Sequence, residues 1–258
     1  MTNSTNLFRL DGKSAVITGA TGALGQAAAK ALAEAGARLT LTAGSKDALA
    51  AMAAELTAAG HDVRTVARRP DTLEDAEAIA EAAGDVDVLI CAAGANNPAP
   101  IEKMSVEDWE EVMDANVRGS WLMCKAIGPR MIDRGQGGKM VLISSVRGRH
   151  GSPLGYTSYC TSKAAVDGLT RSLALEWGSH GINVNAIGPT VFRSKLTEWM
   201  FDDEKTGGQQ NVPALKRIPL GRLGEPEDLQ GILLFLSSPA SDFCTGQIIY
   251  VDGGYTAG

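Results

Sequence analysis

The chain has 258 residues, of which 44% are hydrophobic and 21% charged, and its formal net charge is −6. These proportions are typical of a globular protein, and the length suits one α/β domain. The acidic balance disfavours nucleic-acid binding, because proteins that bind nucleic acids usually have a basic excess. A mean hydropathy of −0.03 and the lack of a long apolar run argue against a membrane span.

Cysteine and histidine positions bear on metal binding and on the cellular compartment. The four cysteines form no Cys-x-x-Cys pair and only three histidines are present, so no metal site is predicted. The segment from Met1 to Leu10 is polar and lacks the apolar core of a secretory signal. We therefore expect reduced thiols and a cytoplasmic protein.

Strand and helix patterns alternate along the chain. Buried strands are predicted over residues 13–18, 38–42, 63–67, 86–91, 139–144, 182–186 and 247–251. Helices are predicted over 22–35, 46–59, 72–83, 105–133, 156–178 and 225–236, the fourth bent or broken near Pro129. This pattern predicts an α/β fold, a single doubly wound Rossmann domain over residues 1–258 with a parallel sheet of about seven strands and helices on both faces.

Small residues follow two of the predicted strands, where ligands of such folds lie. The first strand ends in Thr18-Gly19-Ala20-Thr21-Gly22-Ala23-Leu24-Gly25, and the fourth in Cys91-Ala92-Ala93-Gly94. Glycines at a strand-to-helix turn let the backbone approach a pyrophosphate, whose charge the helix N-terminus favours. A tight turn without a ligand requires the same residues, so neither segment is specific alone.

A hydroxyl, a phenol and an ammonium group form the most specific pattern. Ser144-Ser145 ends the fifth strand, and Tyr159 and Lys163 follow four residues apart on one face of a helix. A neighbouring ammonium favours the ionised phenol and lowers its pKa, so that the phenol can exchange a proton with a carbonyl or alcohol. A Tyr-x-x-x-Lys pair alone is common on helices. Its combination with the glycine turn and the serine favours a catalytic site.

These motifs resemble the short-chain dehydrogenase/reductase family in its compact single-domain form, over Leu10 to Tyr255. Asn116, in Asp114-Ala115-Asn116-Val117, resembles the helix asparagine of the family. The segment from Asn185 to Pro189 resembles its post-strand proline segment, and that from Val251 to Gly254 its C-terminal strand.

The resemblance implies hydride transfer between NAD(P)(H) and a carbonyl or secondary alcohol. Tyr159 would be the general acid or base, Lys163 would lower its pKa and hold the nicotinamide ribose, and Ser145 would polarise the carbonyl. Asn116 would hold a water that links Lys163 to solvent. The cofactor would contact Gly19, Thr21, Gly22, Leu24, Gly25, Ala92, Ala93, Gly94, Tyr159, Lys163, Pro189 and Val191.

Several positions depart from the family pattern. The turn fits T-G-x-x-G-x-x-G, the spacing of the longer two-lobed members, although the length and the C-terminal half favour the compact form. Cys91 stands where asparagine is usual, and Thr190 where glycine is usual. Arg69-Pro70 falls where an Asp-Val pair usually meets the adenine. These departures concern the adenine side and leave Ser145, Tyr159 and Lys163 unchanged.

The residues after the second strand favour NADP over NAD. A carboxylate there would bind the ribose 2′-hydroxyl of NAD and repel a phosphate, but the position holds Ala43. The arginine of phosphate-binding members is also replaced, by Gly44. We expect Ser45 and Lys46 to contact the 2′-phosphate, with Arg69 able to approach from the next loop. NAD stays an alternative, since Lys46 is equally explained as a solvated surface residue.

A polar pocket is expected around the reacting carbonyl. A guanidinium near the carbonyl suits a carboxylate or phosphate, which favours a sugar-acid or keto-acid substrate. A lid around residues 190–215 would close the pocket and add apolar contacts from Trp199, Met200 and Phe201. The expected substrate-binding residues are Ser145, Arg147, Tyr159, Asn96 and Tyr156.

Two other functions remain open, a 3-oxoacyl-carrier-protein reductase and a non-catalytic dinucleotide sensor. We expect neither a membrane nor a nucleic acid as a partner. A 3-oxoacyl-carrier-protein reductase usually has an arginine where this chain has Leu175. A non-catalytic dinucleotide sensor would not need the Ser, Tyr and Lys set. The family resemblance also implies a homotetramer, formed by the helices at 105–133 and 156–178 and by the C-terminal segment at 247–258.

Overall fold

Seven strands form one parallel sheet in the computed structural model, which describes residues 4–206, 208 and 212–258. The spatial order is β3-β2-β1-β4-β5-β6-β7, and each neighbouring pair is parallel. The strands are β1 (Ser14–Thr18), β2 (Arg38–Thr42), β3 (Val63–Val66), β4 (Val88–Cys91), β5 (Gly138–Ile143), β6 (Ile182–Pro189) and β7 (Ile248–Val251). The predicted doubly wound α/β fold is confirmed, and its strand order reverses between β1 and β4.

Helices cover both faces of the sheet. One face packs against α1, α2 and α8, and the other against α3, α5 and α6, with a separate apolar cluster on each side. Small residues allow close packing, and a Cβ on Gly128 would lie 2.5 Å from the Trp177 ring. The helices are α1 (Ala23–Glu34), α2 (Lys46–Ala58), α3 (Leu73–Ala83), α4 (Val106–Met113), α5 (Gly119–Arg134), α6 (Thr157–Trp177), α7 (Asp203–Thr206) and α8 (Gln230–Ser237).

Side-chain caps fix where several helices begin. The Ser45 hydroxyl accepts a hydrogen bond from the Ala48 amide at the start of α2 (3.3 Å). Thr72 and Asp75 form a reciprocal capping box on α3. The Ser105 hydroxyl accepts from the Asp108 amide at the start of α4 (3.0 Å). These caps agree with the predicted helix starts to within one residue.

The predicted helix over 105–133 departs from regular α-helical geometry around Asn116 and not at Pro129. The α-helical hydrogen bonding gives way to a π-helical segment at Asp114–Arg118, between α4 and α5, whereas α5 continues through Pro129. Of the expected bend or break near Pro129, the break is therefore wrong, and the bend stays a prediction. A π-helical segment inserts an extra residue into a helix and changes which side chains face inward. Here the segment turns Asn116 into the interior, where it is 1% exposed.

The described residues between β6 and α8 form short helical turns, one of which is α7. The buried residues of this segment pack with the C-terminal Tyr255 in a third apolar cluster of Val146, Met200, Val212, Ile218, Leu223 and Tyr255. Within the described ranges, no helix is both long and apolar enough to cross a bilayer. The same residues contain no group of His, Cys, Asp and Glu side chains that could hold a metal ion.

Candidate active site

The glycine turn between β1 and α1 lies directly against the end of β4. Gly19 has φ +61°, and a Cβ there would lie 2.5 Å from the Ala93 amide nitrogen. A Cβ on Gly25 would lie 2.3 Å from the Gly19 carbonyl oxygen. No side chain caps α1, whose preceding residue is Gly22. The turn thus presents exposed backbone and an open helix N-terminus, as a pyrophosphate requires.

Two adjoining cavities, of about 550 and 750 Å³, form a cleft along the carboxyl ends of the strands. They share six lining residues, Thr21, Gly22, Ala92, Ala93, Gly94 and Lys195, so they are one continuous space. The first cavity ends at Tyr159, Lys163 and Pro189, with Leu24 also on its wall. The second includes Gly19 and Ser45. Gly25 lies behind the turn and serves close packing.

Asn116 clamps the end of β4 to α6. Its amide oxygen accepts from the Ala95 amide (2.8 Å), while its amide nitrogen donates to the Ala95 carbonyl (3.0 Å) and the Ser162 hydroxyl (2.9 Å). These bonds fix the loop after Gly94 beside the cleft. The expected water held by Asn116 stays a prediction, and the clamp is a second role that the sequence did not indicate.

Two adjacent serines at the end of β5 have separate partners. The Ser144 hydroxyl donates to the Asp167 carboxylate (2.5 Å). The Ser145 hydroxyl donates to the Pro189 carbonyl (3.3 Å) and accepts from the Arg147 amide (3.1 Å). Ser145 therefore lies where β5 and β6 end side by side, and its long bond to Pro189 leaves the hydroxyl able to turn to another acceptor.

Tyr159 and Lys163 lie on one face of α6 at the inner end of the cleft. The Lys163 Nζ atom is 5.5 Å from the centre of the Tyr159 ring and donates to the Ile143 carbonyl (2.8 Å). Lys163 is only 3% exposed. Burial lowers the pKa of this ammonium to about 8, while the Asp167 carboxylate opposes the shift.

The pKa of the Tyr159 phenol lies above its ordinary value. Burial is the main cause, and the Ser145 hydroxyl and the Arg147 charge oppose it. This direction differs from the expected lowering by Lys163. The reason is geometric, since the ammonium is directed at the Ile143 carbonyl and the phenol is partly removed from water.

At the nucleotide end of the cleft, the expected cation Lys46 is not among the residues that line the cavity. Ser45, Arg68 and Arg69 line the second cavity together with Ala43 and Gly44, whereas Lys46 does not. Arg69 crosses Gly44 so closely that a Cβ on that glycine would lie 3.0 Å from the arginine Cδ. The geometry therefore places at this cavity the arginines of the loop between β3 and α3, of which Arg69 was expected to approach, and Lys195 on the wall shared with the first cavity, but not Lys46.

At the opposite end of the cleft Tyr159 is the expected substrate-binding residue that lines the cavity, whereas Asn96, Ser145, Arg147 and Tyr156 do not, and Ser144 lines it in place of Ser145. The Tyr156 and Tyr159 rings pack edge-to-face with centres 6.3 Å apart, and the Arg147 guanidinium is 6.0 Å from the Tyr156 ring. The Asn96 amide oxygen is buried without a hydrogen-bond partner among the described residues. In contrast, the amide of Asn97 donates to Glu111 (2.7 Å).

The lid residues divide between the cleft and the third apolar cluster. Thr190, Phe192, Ser194, Lys195, Leu196 and Thr197 line the first cavity. Val191 and Met200 instead pack in the third cluster. Phe201 stacks under the Arg193 guanidinium (4.2 Å), and Trp199 is 46% exposed. None of the last four lines the cleft, so cofactor contact by Val191 would involve its backbone. Residues 207 and 209–211 of the expected lid lie outside the described residues.

Three further residues at the site were missed from the sequence. Asp167 is buried on α6, four residues after Lys163, and this spacing was a usable signal. Arg217 and Tyr255 pack together near Arg147, with the Arg217 guanidinium 4.4 Å from the Tyr255 ring centre. They are 38 residues apart, so no local pattern connects them.

Known proteins with similar sequences and structures match almost the whole chain. A family model described as enoyl-(acyl carrier protein) reductase matches residues 19–256. An uncharacterized oxidoreductase of Mycobacterium tuberculosis is 53% identical over 97% of this chain and 93% of its own length. A gluconate 5-dehydrogenase of Gluconobacter oxydans is 36% identical over 97% of both chains.

A solved structure extends the match to three dimensions. The gluconate 5-dehydrogenase of Burkholderia cenocepacia, crystallised with NADP and tartrate, is 31% identical and superimposes with a TM-score of 0.91. The match covers 99% of this chain and all of the other. Together with the sheet order and the ordered motifs, these relatives establish the family. The chain belongs to the short-chain dehydrogenase/reductase family of NAD(P)-dependent oxidoreductases.

Proposed function

We propose that this protein transfers a hydride between NADP(H) and a carbonyl or secondary alcohol of a sugar acid or related polar substrate. The observation that carries the proposal is that Tyr159 and Lys163 line the inner end of a cleft that begins with the glycine turn, while the Ser145 hydroxyl behind them acts on the Tyr159 phenol. The cleft also fits a dinucleotide, because its two adjoining cavities extend from Ser45 to Lys163 past the uncapped N-terminus of α1.

The side chains divide the reaction between them. In carbonyl reduction the Tyr159 hydroxyl donates a proton to the substrate oxygen, and the Ser145 hydroxyl donates a hydrogen bond to the same oxygen. The Lys163 ammonium is a nearby store of protons, since its pKa of about 8 lies close to neutral pH. The bound nicotinamide would supply the hydride, and oxidation of the alcohol would run in reverse.

Arg69 is our candidate for recognising the 2′-phosphate of NADP. Ala43 leaves the end of β2 without a carboxylate that would repel this phosphate. Arg69 lines the cavity, and its one ion pair among the described residues is a long one, 3.7 Å to Asp71. Arg68 also lines the cavity but is held by Asp75 at 2.8 Å. Arg69 is therefore the freer of the two cations.

The replacement Arg69→Ala should raise the KM for NADPH about tenfold and leave that for NADH nearly unchanged, as expected for loss of one charged hydrogen bond. Steady-state kinetics with both cofactors measures this preference. Arg68→Ala is the matched control, and Lys46→Ala tests the earlier expectation in the same assay. A preference that survives in Arg69→Ala, or is lost in Lys46→Ala instead, contradicts the assignment.

The substrate proposal depends on polar groups beside the reacting tyrosine. The buried, unpartnered Asn96 oxygen suits a substrate hydroxyl, because leaving it unpaired beside an apolar ligand costs about 1–3 kcal/mol. Tyr156 adds a phenol whose ring centre is 6.3 Å from that of Tyr159, and Arg147 adds a cation 6.0 Å from the Tyr156 ring centre. The similarity to gluconate 5-dehydrogenases supports the same class, and the lid over 190–215 would close over it.

We expect turnover of polyhydroxylated acids or their oxo forms with NADP(H) in preference to simple apolar ketones. A panel of gluconate, 5-dehydro-D-gluconate, neutral polyols and cyclohexanone, assayed with both cofactors, measures the preference as kcat/KM. Faster turnover of cyclohexanone than of every polyhydroxylated compound would overturn the proposed substrate class. Lack of turnover of any compound would instead favour the dinucleotide sensor.

An acyl-carrier-protein substrate is the second candidate, since the family model is described by that activity. Leu175, which stands where those reductases usually have an arginine, is 87% exposed on α6. An exposed leucine offers nothing to an acidic carrier protein. We therefore place a small polar substrate ahead of an acyl carrier, and a cytoplasmic location stays a prediction.

We also propose a homotetramer. Trp121 on α5 and Leu175 on α6 are exposed, as is Phe243 just before β7, and exposed apolar surface on these elements suits interfaces between copies. Light scattering at micromolar concentration should give four times the chain mass of 26.9 kDa. Trp121→Glu should reduce that mass, whereas a monomeric wild type would contradict the proposal.

A further inference from the structure

Two segments distant in sequence bring positive charge to one aromatic ring beyond the catalytic serine. The Tyr255 ring is buried, with the Arg147 guanidinium 5.8 Å and the Arg217 guanidinium 4.4 Å from its centre. Arg217 also donates to the Tyr255 hydroxyl (3.3 Å). The His150 ring packs edge-to-face on Tyr255, with centres 6.1 Å apart. Tyr255 thus holds two guanidinium groups and an imidazole together.

This cluster, Arg147, His150, Arg217 and Tyr255, is not neutralised by the rest of the described chain. Neither arginine has an ion pair with a described carboxylate, although acidic residues exceed basic ones by 30 to 24. The Asp252 carboxylate acts on His150 and offsets part of this charge while its oxygens accept from the amides of Gly254 and Thr256, but one carboxylate does not balance two guanidinium groups. The cluster therefore presents an unbalanced positive charge.

Several hydrogen-bonding groups of the cluster have no partner among the described residues. Arg147 uses one nitrogen on the Gly151 carbonyl (2.6 Å), and Arg217 uses one on Tyr255. Each guanidinium has five N–H donors in all. The His150 Nε2 atom is buried without a hydrogen-bond partner among the described residues. Burial and, after it, the neighbouring arginines hold the pKa of His150 below its usual value, which favours the neutral imidazole.

The cluster adjoins the reacting centre. Arg147 follows Ser145 by two residues and contacts Tyr156, whose ring packs against that of Tyr159. The Arg147 charge also acts on the Tyr159 phenol. A substrate whose carbonyl lies at Tyr159 and Ser145 can therefore place a second group, a few bonds away, at Arg147.

We propose that Arg147 and Arg217, held by Tyr255 and supplemented by His150, form a subsite that binds the carboxylate of a hydroxy-acid or oxo-acid substrate. The inference rests on the proposed function and deepens it. It assigns Arg217, the Leu215–Arg217 turn and the C-terminal Tyr255 to recognition of the anionic end. A guanidinium fork matches a carboxylate in geometry, which a neutral alcohol group cannot replace.

The test uses two substrates that differ only at the anionic end. 5-Dehydro-D-gluconate has a carboxylate where L-sorbose has a hydroxymethyl group, and both have the same oxo carbon. We expect Arg217→Ala to lower the ratio of kcat/KM for the acid over the sugar by about 10- to 100-fold, as loss of a charged hydrogen bond predicts. Arg217→Lys should recover part of the ratio. Lys216→Ala, on the same turn, is the matched control and should leave the ratio unchanged.

A binding measurement separates this inference from the proposed reaction. Tartrate and gluconate are titrated in a calorimeter into the NADPH complexes of the wild type, Arg147→Ala and Arg217→Ala. We expect both variants to bind the two carboxylates more weakly than the wild type does. If neither substrate is turned over but carboxylate binding depends on the arginines, the subsite stands and the proposed reaction fails. An equal effect of Arg217→Ala on kcat/KM for the acid and for the sugar would overturn the subsite. So would a wild type that binds neither carboxylate, or a carboxylate affinity that is unchanged in both variants.

Discussion

Replacement of Tyr159 by phenylalanine should lower kcat by at least 100-fold while NADPH binding stays near that of the wild type. The substitution removes one hydroxyl from a half-buried ring beside Ser145 and leaves the ring in contact with Tyr156. General acid–base catalysis usually contributes 10²–10⁴-fold to a rate. Stopped-flow or steady-state assays give kcat, and quenching of protein fluorescence gives the affinity for NADPH.

The matched control is Tyr250→Phe, which removes a phenol outside the proposed machinery. The Tyr250 ring would still fill the space above Gly188 and contact Arg149. We expect this variant to retain most of the wild-type rate. Retention of more than a tenth of kcat in Tyr159→Phe would contradict the proton-donor role, and an equal loss in both variants would point to a general disturbance of the fold.

The fold was predictable because buried parallel strands have a simple sequence pattern. Each strand is a short apolar run, and the helix that follows it repeats apolar residues every three to four positions. The alternation of these elements along the chain predicts a doubly wound sheet. The helix through Pro129 was the exception. A proline inside a helix usually kinks or breaks it, but α5 continues through Pro129. The π-helical turn around Asn116 has no sequence signature.

The site was predictable where function requires a fixed spacing. Tyr159 and Lys163 share a helix face, and Ser145 follows a strand, so local rules place all three. For the cation at the nucleotide end the sequence offered both Lys46 and, from the next loop, Arg69, and no local rule chose between them. Lys46 is next to the expected position in sequence, but Arg69 reaches the cavity because Gly44 leaves room for its side chain. Such tertiary contacts, like that between Arg217 and Tyr255, become visible only in the folded chain.

Removal of the buried ammonium should lower turnover at least 100-fold and change how stability depends on pH. Lys163→Met keeps the length of the side chain but removes the charge that is 3% exposed beside the Ile143 carbonyl. The proton store next to Tyr159 is then lost. The variant should remain folded, because an apolar chain of similar volume in a buried place is usually tolerated.

The sign of the pH effect follows from the depressed pKa of Lys163 in the folded chain. Its pKa is about 8, compared with 10.5 for the ordinary side chain. Between these values the unfolded chain binds a proton that the folded chain does not, so the free energy of unfolding rises with pH. The stabilisation is complete above the unfolded pKa and is lost as pH falls through about 8. The difference of 2.5 pKa units corresponds to about 3 kcal/mol.

Urea unfolding of the wild type and of Lys163→Met at pH 7 and pH 10, at one protein concentration, measures this contribution. Tyr159 and Cys91 also titrate with raised pKa values, but they are present in both proteins and cancel in the difference. The wild type should gain stability relative to the variant as pH rises, by about 1–3 kcal/mol over this range. A difference that does not change with pH would show that Lys163 is not buried as an ammonium. It could then not act as the store of protons for Tyr159.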